Sequence, residues 1–250
     1  MIHTCAKTDI GQKRLMNQDY IFASEDPVGC CSSLFVVADG MGGEKAGDYA
    51  SRFTVETLVE RIGHSSGTNP VTVLEEEIRQ VNYELYQNAM QNIHLAGTGT
   101  TLVAAVLDGS SMYVANVGDS RLYLVHGQNI TQITRDHSYV EEMVSRGALV
   151  RGSKAYLAKK NIITRAIGAE SRVQVDFFEV ELFPKDIILL CSDGLTNMLS
   201  DEQIRDIIVS EQTMEEKADL LIQKANENGG SDNISVILTT PRISEVSVCY

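Results

Sequence analysis

Apolar residues along the chain follow two periods, one that fits β-strands and one that fits α-helices. Short apolar segments rich in β-branched residues and bounded by turn residues predict strands at 2–7, 20–24 and 33–38. The segment 44–62 then carries apolar residues at helical spacing, and a second helix is predicted to begin at Asn69-Pro70, a capping residue followed by proline. The first third of the chain therefore predicts strands followed by two long helices.

The middle of the chain changes to closely spaced strands. Short turns such as Asp108-Gly109 and His126-Gly127 separate the apolar segments, which predicts a meander of consecutive antiparallel strands. The four predicted strands span 99–107, 111–117, 120–126 and 129–133. A short helix at 138–146 and an irregular segment at 148–165 follow them.

The last third of the chain predicts strands at 173–181, 186–191 and 234–239 and helices at 201–210 and 214–227. Each of these helices opens with a capping box. Helices in two groups with antiparallel strands between them predict an α+β fold, a four-layer α-β-β-α sandwich in which two central, largely antiparallel sheets are flanked by helices. Because no linker interrupts the chain, we predict one domain over residues 1–240 and a short tail at 241–250.

Charge and cysteine usage narrow the function classes. The 250 residues carry a net charge of −13, from 21 basic and 34 acidic side chains, which argues against nucleic-acid partners and anionic membranes. No apolar run approaches the ~20 residues needed to cross a bilayer, and no leader-like segment opens the chain, so we expect no membrane insertion and a cytoplasmic location. The five cysteines form no C-x-x-C pair, and none precedes an arginine at the spacing of cysteine-dependent phosphatases.

Four aspartates stand at strand ends beside glycine or small polar residues, far apart in sequence. They are Asp39, Asp119, Asp193 and Asp232. Taken singly, each fits an ordinary turn or helix cap. The four aspartates together favour a cluster around divalent metal ions, because buried carboxylates are energetically costly without cations nearby. Carboxylate oxygens are typical ligands of the hard ions Mg²⁺ and Mn²⁺.

The stretch before the second predicted strand adds an arginine. In Arg14-x-x-Asn17-Gln18-Asp19, the planar guanidinium of Arg14 can bind a phosphate dianion through paired hydrogen bonds, while Asp19 faces the metal ions. The alternative for Arg14 alone is an ordinary surface arginine.

Seven motifs in this order resemble those of the PPM-type (type 2C) metal-dependent protein serine/threonine phosphatases, in their compact bacterial form, and the resemblance covers residues 1–240. The motifs are Arg14…Asn17-Gln18-Asp19, Asp39-Gly40-Met41-Gly42-Gly43, Gly97-Thr98-Gly99-Thr100-Thr101, Val117-Gly118-Asp119-Ser120-Arg121, Ile163-Thr164-Arg165-Ala166-Ile167-Gly168, Ser192-Asp193-Gly194 and Gly230-Ser231-Asp232-Asn233. The resemblance implies that phosphoserine and phosphothreonine in proteins are hydrolysed by a hydroxide, shared by two metal ions, that attacks phosphorus in line.

The resemblance also implies cofactors, residue roles and partners. Two core Mn²⁺ or Mg²⁺ ions are expected at one end of the sandwich, with room for a third. The resemblance implies that Asp39 bridges both core ions, that the Gly40 carbonyl binds one of them, and that Asp193 and Asp232 bind the other. It also implies that Asp19 contacts an ion through water, that Asp119 helps to bind the third ion, and that Arg14 binds the substrate phosphate. The expected partners are phosphoproteins, including a bacterial Hanks-type serine/threonine kinase and its substrates, and the protein is expected to be a monomer.

Two positions depart from the family pattern. Many eukaryotic relatives have histidine at the position of Met41, and that histidine can protonate the leaving oxygen. In this chain the leaving alkoxide must therefore take its proton from another group, and water near Asp119 is the candidate donor. Gln18 replaces a common glutamate, and its amide can still orient water bound to a metal ion.

Residues 146–165 contain six basic side chains and no acidic one, and they correspond to the family's flap beside the cleft; we call them the flap segment. We predict that Lys159, Lys160 and Arg165 of this segment dock acidic regions of phosphoproteins. The alternative is a solvated loop that happens to be basic.

Three functions remain open from the residues. The chain is an active protein phosphatase, a catalytically silent pseudophosphatase acting as a binding or regulatory module, or a metal-dependent phosphohydrolase for small metabolites. Retention of Asp39, Asp193 and Asp232 together with Arg14 favours the first.

Overall fold

Two antiparallel β-sheets pack face to face in the computed structural model, which describes residues 3–243. One sheet has the strand order β1-β11-β10-β7-β8, and the other has the order β2-β3-β5-β6-β9, with the short β4 paired to β3. The strands are β1 Thr4–Asp9, β2 Asp19–Ser24, β3 Leu34–Met41, β4 Gly99–Thr100, β5 Leu102–Asp108, β6 Ser111–Val117, β7 Arg121–His126, β8 Asn129–Gln132, β9 Asp176–Glu181, β10 Ile187–Cys191 and β11 Ile234–Thr239.

Helices cover the outer face of each sheet. The helices of the described residues are α1 Gly43–His64, α2 Pro70–Gln91, α3 Tyr139–Ser145, α4 Lys154–Leu157, α5 Asp193–Thr196, α6 Asp201–Ile208 and α7 Met214–Glu227, and a 3-10 turn lies at Ile93–Leu95. Of these, α1 and α2 cover one sheet, and α6 and α7 cover the other. Within residues 3–243, no helix is long and apolar enough to span a bilayer. The two stacked sheets and the helices on their outer faces confirm the predicted four-layer α+β sandwich.

The alternation of side chains along β3 shows how the layers form. Successive residues of a strand point to opposite faces. Phe35 and Val37 accordingly pack in the core between the two sheets, whereas Val36 and Ala38 pack in the core beneath α1 and α2. A third core lies between the other sheet and helices α6 and α7. Because both faces of β3 are buried, its sequence is almost continuously apolar up to Asp39.

The strands predicted as one meander divide between the two sheets, so that prediction is wrong. Strand β6 pairs with β5 and β9, whereas β7 pairs with β10 and β8. The chain changes sheet at Gly118, which has a φ of 105° and where an added Cβ would lie 2.7 Å from side-chain atoms of Thr101. Only glycine fits there. The residue that follows is Asp119, so the crossing itself presents a carboxylate at the junction of the sheets.

Several smaller predictions also needed correction. The predicted strand 99–107 is split into β4 and β5, the strand predicted from 173 begins at Asp176, and the irregular segment contains the one-turn helix α4. Helix α5 was not predicted, because four residues are too few to show a helical period. Most of the predicted tail, residues 244–250, lies outside the described residues.

The strand register places the candidate residues at one end of the sandwich. Asp19 lies opposite Asp39 across β2 and β3, and Asp9, five residues before Arg14, lies opposite Ile234 across β1 and β11. Asp193 follows β10, and Asp232 precedes β11 at the same end. The turns at 109–110 and 127–128 and the connection at 182–186 lie at the opposite end.

Candidate active site

Two adjoining cavities are lined by most of the predicted site residues, whereas Asp19, Lys159 and Arg165 lie outside both linings. The larger has a volume of about 590 Å³, and its lining includes Arg14, Asp39, Asp193 and Asp232. The smaller, about 320 Å³, is lined by Asp119 and again by Asp193. The structure therefore brings together carboxylates that are separated by more than a hundred residues in sequence, and Asp193 belongs to both cavities.

The backbone around Asp39 is held by three threonines in and next to β4. The Asp39 amide donates to Thr101 Oγ1 at 2.9 Å, and Thr100 Oγ1 donates to the Asp39 carbonyl at 2.9 Å. Thr98 Oγ1 donates to the Met41 carbonyl at 3.1 Å. These bonds give the Gly97–Thr101 motif a physical role, which is to fix the backbone that carries the central carboxylate.

Gly40 is required by the close approach of helix α1. A Cβ at this position would lie 2.0 Å from the Gly47 carbonyl oxygen. The Gly40 amide donates to the Gln18 carbonyl at 3.1 Å, and the Gln18 side chain donates from Nε2 to the Gly43 carbonyl at 2.7 Å. The amide of Gln18 thus ties the loop after Asp39 to the β2 edge, and its predicted contact with a metal-bound water stays a prediction.

Asp19 is buried and held by two serines, of which Ser192 belongs to a predicted motif that gave it no role and Ser235 was not singled out from the sequence. Ser192 and Ser235 each donate an Oγ hydrogen bond to Asp19 Oδ2 at 2.7 Å. Its other oxygen, Oδ1, is buried without a hydrogen-bond partner among the described residues. Burial, which these two hydrogen bonds only partly offset, raises the pKa of Asp19 to about 7.

Asp193 opens helix α5 and points one oxygen at its own helix. Its Oδ2 accepts from Asn197 Nδ2 at 2.8 Å, while Oδ1 is buried without a described partner. Burial first, and then the charge of Asp232, raise the pKa of Asp193 to about 6, and the charge of Lys160 opposes that rise. Burial, reinforced by the charge of Asp19, likewise raises the pKa of Asp39 well above its ordinary value.

Asp119 is positioned by His137. The Gly118 amide donates to His137 Nδ1 at 3.0 Å, which places the ring proton on Nε2, 3.1 Å from Asp176 Oδ2. Asp119 Oδ1 is buried without a described partner, and burial raises the pKa of Asp119 to about 8. Ser138 is the N-cap of α3, which confirms the short helix predicted from residue 138.

Arg14 lies at the mouth of the larger cavity. Its Nη2 donates to Asp232 Oδ2 at 2.7 Å, and about half of its side chain is exposed. The loop that carries it is fastened by Asn233, whose Oδ1 accepts from the Gln18 amide at 2.8 Å and whose Nδ2 donates to the carbonyls of Ile10 and Met16 at 2.9 and 3.0 Å. The sequence interpretation included Asn233 in a motif but gave it no role.

The carboxylates fit hard divalent cations. Three of their oxygens, on Asp19, Asp119 and Asp193, are buried acceptors without described partners, an arrangement that is costly unless a cation or ordered water satisfies them. Within residues 3–243, no three carboxylate, imidazole or thiol side chains converge into a complete ligand cage. The arrangement therefore suits an ion such as Mg²⁺, which keeps several of its own water ligands.

The flap segment borders both cavities through Asn161. Lys160 lines the smaller cavity, and the Lys159 ammonium lies 5.0 Å from the centre of the Tyr139 ring. Arg165 donates to Asp176 Oδ1 at 2.7 Å beside His137, so its contacts favour a structural role over the predicted docking role.

Glu141 on α3 holds the flap segment in place through hydrogen bonds. It is buried and accepts hydrogen bonds from Arg151 and from Tyr156 Oη, the latter at 2.8 Å. These bonds, with the charge of Arg151, outweigh the effect of burial and lower the pKa of Glu141. A glutamate in the first turn of a short helix gives no sequence signal of such a buried contact.

Comparisons with known proteins agree with this geometry. Residues 11–238 match the family model described as protein phosphatase 2C. The chain is 40% identical over 243 residues to the serine/threonine phosphatase stp of Listeria welshimeri, covering 95% of each chain. It is 39% identical over 236 residues to the protein phosphatase PhpP of Streptococcus pneumoniae, covering 93% of this chain and 95% of the relative.

A solved structure shows the same fold. The serine/threonine phosphatase of S. agalactiae superposes with a TM-score of 0.90 at 36% identity, covering 97% of this chain and 100% of that chain. Likeness in sequence and in structure thus extends over nearly the whole chain, including every strand end that carries an aspartate. The chain therefore belongs to the protein phosphatase 2C family and is a serine/threonine protein phosphatase of that type.

Proposed function

We propose that this phosphatase hydrolyses phosphoserine and phosphothreonine in proteins at the larger cavity, with two Mn²⁺ or Mg²⁺ ions in its core and a third at Asp119. The observation that carries the proposal is the set of buried aspartate oxygens without described partners, next to a half-exposed arginine. A stable fold gains nothing from such carboxylates, whereas a site for divalent cations requires them.

Each residue of the site has a separate proposed role. Asp39, the Gly40 carbonyl, Asp193 and Asp232 would hold the core ions. The chemistry that the ions supply when bound is Lewis acidity, which lowers the pKa of coordinated water and offsets charge on the phosphoryl oxygens. Asp19 would act through water, its orientation fixed by the two serine hydroxyls.

Arg14 would orient the phosphoryl group. Its guanidinium has several N–H donors, so it can hold Asp232 through Nη2 and present other donors to a phosphate at the cavity mouth. The Met41 thioether has no proton to give, so protonation of the leaving oxygen must come from another group, for which the surroundings of Asp119 remain our candidate. No observation favours the pseudophosphatase alternative, because every proposed ligand is retained.

We also propose that the substrates include a bacterial serine/threonine kinase and the proteins it phosphorylates, and that the flap segment docks them through Lys159 and Lys160. The support is the basic surface of the flap segment beside an acidic site. Dephosphorylation of an autophosphorylated kinase domain by the purified enzyme would test the partner directly.

The proposed chemistry is tested with p-nitrophenyl phosphate and a phosphothreonine peptide, assayed with Mn²⁺, with chelator, and with Asp193→Ala. A matched control is Asp219→Ala, which removes an exposed aspartate on α7. We expect Mn²⁺-dependent turnover of both substrates that chelator and Asp193→Ala abolish and that Asp219→Ala retains. Turnover by folded Asp193→Ala at the wild-type rate would contradict the proposed site.

A further inference from the structure

The lining of the larger cavity contains apolar side chains as well as carboxylates. The apolar ones are Leu15 and Met16 from the Arg14 loop, Met41 at the end of β3, and Ile163 from the flap segment, and we call these four residues the apolar wall. The proposed chemistry uses none of these four side chains.

Leu15 is the most conspicuous member of this wall. Its relative exposure is 94%, and that of Met16 is 37%. A single exposed leucine is ordinary on a protein surface. This one, however, directly follows Arg14 in a loop fixed by Asn233 and by the bond from the Gln12 amide to the Gly230 carbonyl at 2.8 Å. The exposed side chain is thus held beside the cavity by bonds on both sides.

We propose that the apolar wall binds an apolar side chain of the substrate, located within two or three residues of the phosphorylated one. The proposal rests on the function proposed above, because it takes Arg14 as the phosphate anchor. Neighbouring Cα atoms are about 3.8 Å apart, and an extended peptide advances about 3.3 Å per residue. A peptide whose phosphate lies at Arg14 therefore passes Leu15 within a few residues.

The nature of the occupant follows from the surroundings. Leu15 and Met16 offer no N–H or O–H donor and no strong acceptor, so a polar substrate side chain lying against them would lose water without gaining a partner, whereas an apolar side chain would cover them without that cost. Because this wall covers a substrate side chain from one side, it should discriminate only modestly between apolar and polar side chains. We expect a preference of about five- to tenfold in kcat/KM, near the lower end of what an apolar contact provides.

The test compares phosphothreonine peptides that differ at one position. One position at a time, a leucine or a glutamine is placed at each of the three positions before and each of the three positions after the phosphothreonine, in an otherwise constant background. The quantity measured is the ratio of kcat/KM for the leucine peptide to that for the glutamine peptide, which cancels any general loss of activity in a variant. The proteins are the wild type, Leu15→Gln, Leu15→Met and a control, Ile93→Gln, which changes another exposed apolar residue outside the cavity lining.

We expect the wild type, Leu15→Met and Ile93→Gln to prefer leucine at one or more positions, and Leu15→Gln to lose that preference. Equal use of all peptides by the wild type, or a preference that survives in Leu15→Gln, would overturn the inference while leaving the proposed function intact. Absence of turnover on every substrate, p-nitrophenyl phosphate included, would overturn both. A wild-type dimer that Leu15→Gln converts to monomer would show that a second copy covers the wall, and would also overturn it.

Discussion

Replacing Asn233 by alanine should loosen the Arg14 loop and weaken substrate binding. The buried Asn233 side chain makes three hydrogen bonds to backbone atoms, one with the Gln18 amide and two with the carbonyls of Ile10 and Met16. A typical intramolecular hydrogen bond contributes about 1 kcal/mol, so their loss should reduce the free energy of unfolding by roughly 3 kcal/mol. For a chain of this size, that loss lowers Tm by about 6–12 °C.

The kinetic consequence is separate from the loss of stability. All three bonds fasten the stretch that carries Arg14, so Asn233→Ala should raise KM for a phosphothreonine peptide and weaken inhibition by inorganic phosphate, each by about tenfold. That figure corresponds to about 1.4 kcal/mol of the lost loop-anchoring energy. Steady-state kinetics at a temperature where the variant is fully folded measure both constants.

The control is Asn228→Ala, which removes one exposed hydrogen bond, from Asn228 Nδ2 to the Met198 carbonyl at 2.9 Å. We expect about 1 kcal/mol or less of destabilisation and unchanged kinetics. If Asn233→Ala lost stability but kept the wild-type KM and phosphate inhibition, the link between this loop and substrate binding would be refuted.

Three further predictions concern the carboxylates and the flap segment. Burial raises the pKa of Asp19 to about 7 and that of Asp193 to about 6, above the value near 4 that is usual in the unfolded chain, so the native state binds more protons than the unfolded state. The free energy of unfolding measured in chelator should therefore fall as pH rises from about 5 to 8, and Mn²⁺ should restore it. Thermal unfolding at three pH values measures this, and a rise with pH would contradict it. Asp119→Asn should lower kcat more for a phosphothreonine peptide than for p-nitrophenyl phosphate, whose aryl leaving group needs less protonation; equal losses would refute that role. Lys159→Gln combined with Lys160→Gln should lower kcat/KM on a phosphoprotein several-fold at low salt and much less at high salt, whereas an unchanged value at low salt would favour a solvated loop.

The convergence of the aspartates could be predicted from sequence because their positions follow from the strands. An apolar run that ends in Asp-Gly, as at Asp39 and Asp193, places a carboxylate at the C-terminal end of a strand. Antiparallel pairing places that carboxylate beside the start of the neighbouring strand, which brings Asp39 to Asp19 and Asp193 towards the start of β11, which Asp232 precedes. The stacking of the two sheets then brings these two pairs together. The backbone geometry at Gly40 also had a local signal, since successive glycines mark a close approach.

The partners of the aspartates could not be predicted in this way. Whether β7 joins the sheet of β6 or the opposite one leaves no trace in the alternation of apolar residues, because both sheets bury apolar side chains in the shared core. The serines that hold Asp19 lie on β11 and after β10, and their pairing depends on a register that only the folded chain defines. Asn233 is likewise recognisable as a loop fastener only once Ile10 and Met16 are brought next to it.

The separation of the two ends of the sandwich has a practical consequence for protein engineering. The site occupies one end, whereas the turns at 109–110 and 127–128 lie at the other end and are exposed. A fluorophore, an affinity tag or a small reporter domain inserted at either turn would be separated from the cleft by the full length of the strands. These turns are therefore suitable attachment points for following substrate capture by fluorescence without altering the surface that performs it.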